Sequence, residues 1–302
     1  MNSVSIVKNM ADILKCEVKT GEPMSLHTTF KIGGGAELFV KVKKPSQLAE
    51  IVKICNRESV PYMILGKGSN LLVSDKGISG VVIALDGDFK EISVLDNNTI
   101  YCGSASSLAK LCSKALSLNL TGLEFGWGIP GSAGGALYMN AGAYGGEMKD
   151  VVYSVTHMNK DGRVETLSAD KLNLGYRTSV YRENGCIILG VTVKLSQGDP
   201  VEIRSKMDDY MDRRKAKQPL DYPSAGSVFK RPEGNYAGAL IEKCGLKGLT
   251  VGGAKVSDKH AGFIINTGTA TCEDVLSLIS KVQEKVNAET GYFLEREIVY
   301  VE

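Results

Sequence analysis

The stretch Gly126–Met148, GWGIPGSAGGALYMNAGAYGGEM, constrains this chain more than any other. Eight glycines fall in it: Gly126, Gly128, Gly131, Gly134, Gly135, Gly142, Gly145 and Gly146. Glycine leaves main-chain N–H groups uncovered and tolerates φ > 0, so a ligand can approach the backbone closely. Successive N–H groups in such turns form nests for anions, phosphates above all. A second element of the same character, Leu65-Gly66-Lys67-Gly68-Ser69-Asn70, follows an apolar run. Two phosphate-sized cradles in one chain point to a ligand with a pyrophosphate. Taken alone, either loop could be a tight turn in a twisted sheet.

Neither loop has a familiar nucleotide-binding spacing. The Gly66–Asn70 loop lacks the Walker A pattern. Gly126-Trp127-Gly128 followed by Gly131 matches the letters of the Rossmann fingerprint, but Ile129-Pro130 would break a helix started there. A different dinucleotide cradle is favoured. Net charge is +2, from 36 basic and 34 acidic residues, too balanced to argue for nucleic acid or an anionic membrane. The seven cysteines are scattered and never in C-x-x-C spacing, and there are only three histidines. Buried reduced thiols and no metal are the expectation. Lys8 interrupts the N-terminal apolar stretch, and no run approaches the ~20 residues of a membrane span, so the chain is expected in the cytoplasm.

Hydrophobic periodicity predicts helices over 3–15, 46–57, 107–118, 202–217 and 236–244, and a last one opening at Thr271, capped together with Asp274. Strands are expected over 36–43, 61–65, 81–85, 90–95, 99–103, 151–158, 164–167, 185–195, 262–266 and 294–301. The character changes at Ser196-Gln197-Gly198-Asp199-Pro200, where a boundary is placed. Residues 1–20 then carry an N-terminal helix, 21–195 the cofactor-binding domain and 196–302 a C-terminal domain.

Seven ordered motifs resemble the UDP-N-acetylenolpyruvoylglucosamine reductase (MurB) family. They are Thr28–Gly34 (TTFKIGG), Leu65–Leu72 (LGKGSNLL), Gly128–Gly135 (GIPGSAGG), Asn140–Gly145 (NAGAYG), Tyr176–Ser179 (YRTS), Ala225–Lys230 (AGSVFK) and Leu294–Ile298 (LEREI). Only a few residues separate Ser179 from Gly185, which resembles the shorter, type II form. The resemblance implies an α+β fold: an FAD-binding region of the vanillyl-alcohol-oxidase (PCMH) type, with two α+β subdomains, and a C-terminal α+β substrate-binding domain. It implies FAD and NADPH as cofactors, UDP-N-acetylglucosamine enolpyruvate as substrate, and hydride transfer from flavin N5 to the substrate's C3. Carried over residue by residue, Arg177 would stabilise the enolate, Glu297 would work with it, and Ser227 would protonate C2. Leu65, Gly66, Lys67, Gly68, Ser69, Asn70, Leu71, Gly128, Ile129, Pro130, Gly131, Ser132, Gly134, Gly135, Asn140, Ala141 and Gly142 would contact FAD. Lys230, Arg231, Lys247 and His260 are candidates for the substrate diphosphate, His260 reading more simply as a surface histidine. A monomer without nucleic-acid or membrane partners is expected. Two alternatives compete: another FAD oxidoreductase of this fold acting on a small hydroxylated substrate, and a sugar-nucleotide-binding regulator without catalysis. His27 offers no convincing flavin tether for the first, and intact Arg177, Ser227 and Glu297 oppose the second.

Overall fold

The run Ile187–Lys194 is apolar almost without interruption, and every residue but Lys194 is buried. Such a run suits a strand covered on both faces. In the computed structural model, which describes residues 2–302, it is the central strand of an antiparallel sheet. The order across that sheet is Val164–Ser168, Val152–Met158, Ile187–Lys194, Thr99–Gly103 and Ile92–Val94. Register is fixed by pairs such as Gly190↔Gly103 and Val193↔Ile100. At Gly190 the phenol of Tyr101 lies where a side chain would start, its Oη 2.3 Å from the position of an added Cβ. Helices α3 (Leu108–Ser117) and α4 (Ala133–Tyr138) contribute Leu108, Leu111, Ala133 and Leu137 to the core on this sheet.

A second sheet runs in the order Glu17–Pro23, Gly35–Val42, Ile78–Leu85, Tyr62–Leu65. Its last two strands are parallel, Tyr62↔Val81 through Leu65↔Ala84. Parallel neighbours need a crossover. Helices α1 (Ser3–Ile13) and α2 (Pro45–Arg57) supply Val7, Ala11, Leu48, Ile51 and Cys55 to this core. Helix α5 (Pro200–Lys217) is charged along most of its length and buries Ile203 and Met207.

The chain forms two compact units. The first comprises Met1–Lys19, Leu38–Lys67 and Gly80–Arg213; the second comprises Thr20–Glu37, Gly68–Ser79 and Arg214–Glu302. The changeover in the last part of the chain lies within α5, while the boundary placed near residue 196 falls on the short strand Ser196–Gln197 ahead of it.

The second unit holds an antiparallel sheet of Thr250–Val251, Ala254–Val256 and Ile264–Asn266, with helices α6 (Ala237–Lys243) and α7 (Cys272–Thr290). Helix α7 buries Val275, Leu278, Ile279, Val282 and Val286, and the predicted cap is present: the Thr271 hydroxyl accepts from Asp274 N–H, and the Asp274 carboxylate accepts from Thr271 N–H. The expected strand over 294–301 is shorter, Val299–Val301, in parallel with Leu71–Val73. All seven cysteines are free, Cys16 and Cys186 only half-buried; burial pushes the thiols of Cys55, Cys102, Cys112 and Cys272 up to about 12. Among the described residues, no helix is long and apolar enough to cross a membrane.

Candidate active site

In the first unit the cradle is built where the strand Tyr62–Leu65 ends. An added Cβ on Gly66 would lie 2.8 Å from Ser132 Oγ, so glycine is what lets the two loops meet. No helix passes through Ile129-Pro130, as expected, but α4 starts just beyond, with Ser132 as N-cap accepting from Gly135 N–H at 3.2 Å. The next two N–H groups are spent inside the protein: Ala133 donates to Ser106 O at 2.8 Å and Gly134 to Ser104 O at 2.9 Å. Of the N–H groups from Gly131 to Gly135, therefore, only those of Gly131 and Ser132 stay uncommitted among the described residues. Those of Gly66 and Lys67 are uncommitted likewise. Sequence reasoning passed over Ser104 and Ser106, whose buried hydroxyls have no hydrogen-bond partner among the described residues. Nothing in the sequence separated these two serines from ordinary loop residues. Free N–H donors, a glycine-permitted approach and two orphaned hydroxyls suit an anionic group rich in hydrogen-bond acceptors, and a flavin dinucleotide fits that donor set.

The remaining loop residues of the Leu65–Leu71 motif have structural duties in the second unit. Gly68, at φ +60°, packs against the His27 carbonyl, which an added Cβ would meet at 2.1 Å. Asn70 Nδ2 donates to Glu297 O at 3.3 Å, and Asn70 O accepts from Val299 N–H at 2.9 Å. Leu71 opens the strand paired with Val299–Val301.

Also in the first unit, Asn140-Ala141-Gly142 leads into a two-residue-per-strand hairpin, Gly142–Ala143 with Gly146–Glu147. Tyr144 at its tip has φ +55° and stacks on Tyr210 of α5, with centroids 4.5 Å apart and planes at 11°. Arg177 sits within a tight turn closed by Gly175 and Thr178, at φ +55°, with its guanidinium 5.3 Å from the centroid of the Tyr176 ring. Gly128 and Ile129 are half-buried on the approach to α4, and Pro130 is exposed.

In the second unit the Ser227 segment lies between two others. Ser227 bridges Phe263 and Phe229 bridges Arg296. Val228 N–H donates to Gly262 O at 2.9 Å, while Val228 O accepts from Glu297 N–H at 2.7 Å. Ser227 and Glu297, far apart in sequence, thus stand on neighbouring extended segments, and Gly226 at φ +79° sets up the exposed serine. Lys230 pairs with Glu295 at 2.5 Å and Lys247 with Glu242 at 2.6 Å, while the Arg231 guanidinium lies 4.0 Å from the Tyr236 ring centroid. Exposed pairs of this kind contribute about 0–1 kcal/mol, so a diphosphate can displace them. His260 is half-buried and its Nδ1 accepts from Gly262 N–H at 3.1 Å. That bond puts the proton of the neutral ring on Nε2. Burial chiefly, and then the charge of Lys247, hold its pKa below the ordinary value, so the ring is a neutral N–H donor at neutral pH.

These features define an FAD-binding module joined to a second, substrate-type domain. Residues 36–168 match the family model of the FAD binding domain, and residues 218–301 match that of the UDP-N-acetylenolpyruvoylglucosamine reductase C-terminal domain. Over 300 residues the chain is 46% identical to the UDP-N-acetylenolpyruvoylglucosamine reductase of Clostridioides difficile, covering 99% of this chain and 98% of that one. It is 46% identical over 297 residues to the enzyme of that name from Caldanaerobacter subterraneus, covering 98% of each. The crystal structure of the Thermus caldophilus reductase (MurB) superposes with a TM-score of 0.82 at 36% identity, over 95% of this chain and 99% of that one. The chain belongs to the UDP-N-acetylenolpyruvoylglucosamine reductase family.

Proposed function

We propose that this protein reduces UDP-N-acetylglucosamine enolpyruvate to UDP-N-acetylmuramate with NADPH, a step in making peptidoglycan precursors in the cytoplasm. The observation that supports it most is the full-length likeness to reductases of that name, with both family domains in order. Bound FAD would supply the chemistry of accepting hydride from NADPH and delivering it to C3 of the enolpyruvyl group. Gly66, Lys67, Gly131 and Ser132 would hold its pyrophosphate through main-chain N–H groups.

The protein's own task is the negative charge that grows on the enolpyruvyl carboxylate and C2. A fixed cation aimed at developing charge is the effective device, and Arg177 takes that role. Ser227 gives C2 its proton. A free serine hydroxyl is a weak acid, so it depends on alignment and a polarised setting; the bonds between Val228 and its two neighbouring segments supply the alignment. Glu297, on the segment bonded to Val228, works with the arginine. Lys230, Arg231 and Lys247 would bind the diphosphate, with His260 as a neutral donor.

Anaerobic stopped-flow tests this reading. NADPH should bleach the flavin, and the enolpyruvyl sugar should restore its colour. Recovery only when oxygen is admitted would end the reductase assignment and favour an oxidase of small hydroxylated substrates. Ser227→Ala should bleach normally and recover slowly; equal losses in both halves would remove Ser227 as proton donor.

A further inference from the structure

Asn140 carries a role other than the flavin contact its motif suggested. It is 0% exposed and stands at φ +42°. Its Nδ2 donates to Glu147 Oε2 at 2.7 Å and to Gly175 O at 3.0 Å, and its Oδ1 accepts from Lys149 N–H at 2.9 Å. An asparagine amide has two N–H donors, and both are used here. A side chain with no exposed surface and both donors engaged has no N–H to give an incoming flavin.

What Asn140 holds is the turn that presents Arg177. Gly175 and Thr178 exchange main-chain hydrogen bonds at 3.2 and 3.3 Å, and Arg177 stands between them in the left-handed region. That conformation costs a non-glycine residue about 1–2 kcal/mol, so it persists only where its surroundings fix it. Three ties do so. Asn140 Nδ2 holds the carbonyl of Gly175, Arg182 Nη1 donates to Arg177 O at 3.0 Å, and Ser179 Oγ donates to Tyr138 O at 2.8 Å. Of the three, Asn140 alone also grips the glycine hairpin through Glu147, and the turn after it through Lys149 N–H. We propose, resting on the reductase reading, that Asn140 is the positioning residue for Arg177: it locks the Gly175–Thr178 turn to the end of α4 and the hairpin, and makes no bond to the flavin.

The test uses two variants. Asn140→Gly removes the side chain and keeps the positive φ free of strain; Asn140→Asp keeps an acceptor for Lys149 and loses both donors. FAD affinity, measured by flavin fluorescence, and the rate of bleaching by NADPH are expected to stay at wild-type values. Reoxidation by the enolpyruvyl sugar should fall by roughly 10–100-fold, the scale of a small misplacement of a charged group. In the Arg177→Ala background the Asn140 change should cost nothing more, because both act through one guanidinium. Hydrogen–deuterium exchange over residues 175–179 should quicken in either variant. Weakened FAD binding with equal loss in both half-reactions would make Asn140 a flavin contact and overturn the proposal. So would unchanged reoxidation, or losses that multiply in the double variant. If the wild-type protein is itself not reoxidised by the sugar, the reductase reading fails, and the exchange rates still decide whether Asn140 holds the turn.

Discussion

Gly66 and Gly145 are glycines for different reasons. At Gly66 the obstacle is Ser132 Oγ, 2.8 Å from where a Cβ would stand; at Gly145 there is open space and a φ of +87°. Gly66→Ala is therefore expected to push Ser132 aside and weaken FAD binding by roughly tenfold, about the contribution of one hydrogen bond to a charged group. Gly145→Ala should cost about 1–2 kcal/mol of backbone strain and leave flavin affinity unchanged. Fluorescence titration of the two variants separates the cases, and equal affinities would show that Gly66 does not shape the cradle. His157 gives a second prediction at this scale. It is buried, with Tyr181 Oη 3.0 Å from Nδ1, and burial holds its pKa below 6.5 despite Glu165 at 3.9 Å. The unfolded chain thus binds more protons than the folded one between pH 6.5 and the lower folded value. Stability must fall as pH drops through that window and level off below it. His157→Gln should flatten the fall in urea midpoints, leaving the share owed to His260, which is depressed in the same direction. An unaltered pH profile would remove His157 from the account.

Helix α7 shows how an element can be half legible. Its apolar stripe and its Thr271–Asp274 cap are local, and both are readable from spacing alone. A further cap comes from Asp75, whose carboxylate accepts from Cys272 N–H at 2.8 Å and Glu273 N–H at 3.1 Å across 197 and 198 positions. No local pattern announces it. Thr271→Ala should cost about 1 kcal/mol, and Asp75→Ala about 1–3 kcal/mol because it leaves two helix-end donors without partners. Urea denaturation checks the order of the two, and a smaller effect at Asp75 would make its bonds incidental. The same division explains what else the sequence concealed. Glu17–Pro23 (EVKTGEP) has no alternation to read, being an edge strand with a single buried residue. Helix α4 is short and opens inside the glycine-rich stretch, so its start is masked by the turn residues before it. Leu71–Val73 becomes a strand only by pairing with Val299–Val301, near the far end of the chain. At the site, the glycine loops and the motif residues could be recognised, whereas the saturation of Asn140 and the tautomer of His260 are properties of assembled neighbours.

At the scale of the molecule, sequence continuity and compactness part company. A change of composition near residue 196 suggests that the chain beyond it folds as a block, yet the core of the second unit draws on earlier segments. Phe30, Ile32 and Leu72, exposed by 0%, 2% and 0%, belong to the same cluster as Val228, Ile241, Val275 and Leu294. Polar ties follow the same route: Thr29 Oγ1 donates to Ser224 O at 2.7 Å, and Asn266 Nδ2 to Phe30 O at 3.1 Å. Removing three large core side chains costs about 2–5 kcal/mol each. Their sum rivals the whole stability of an ordinary domain, about 5–15 kcal/mol. The strand Val299–Val301 would also lose its partner, and α7 its Asp75 cap. Residues 196–302 expressed alone should therefore lack a cooperative urea transition and show poorly dispersed amide resonances, while the full chain unfolds cooperatively. Supplying 20–37 and 68–79 as a second polypeptide should restore dispersion if those segments complete the core. A fragment 196–302 that unfolds cooperatively by itself would mean that the C-terminal segment carries a sufficient core, and that the earlier strands only cover it.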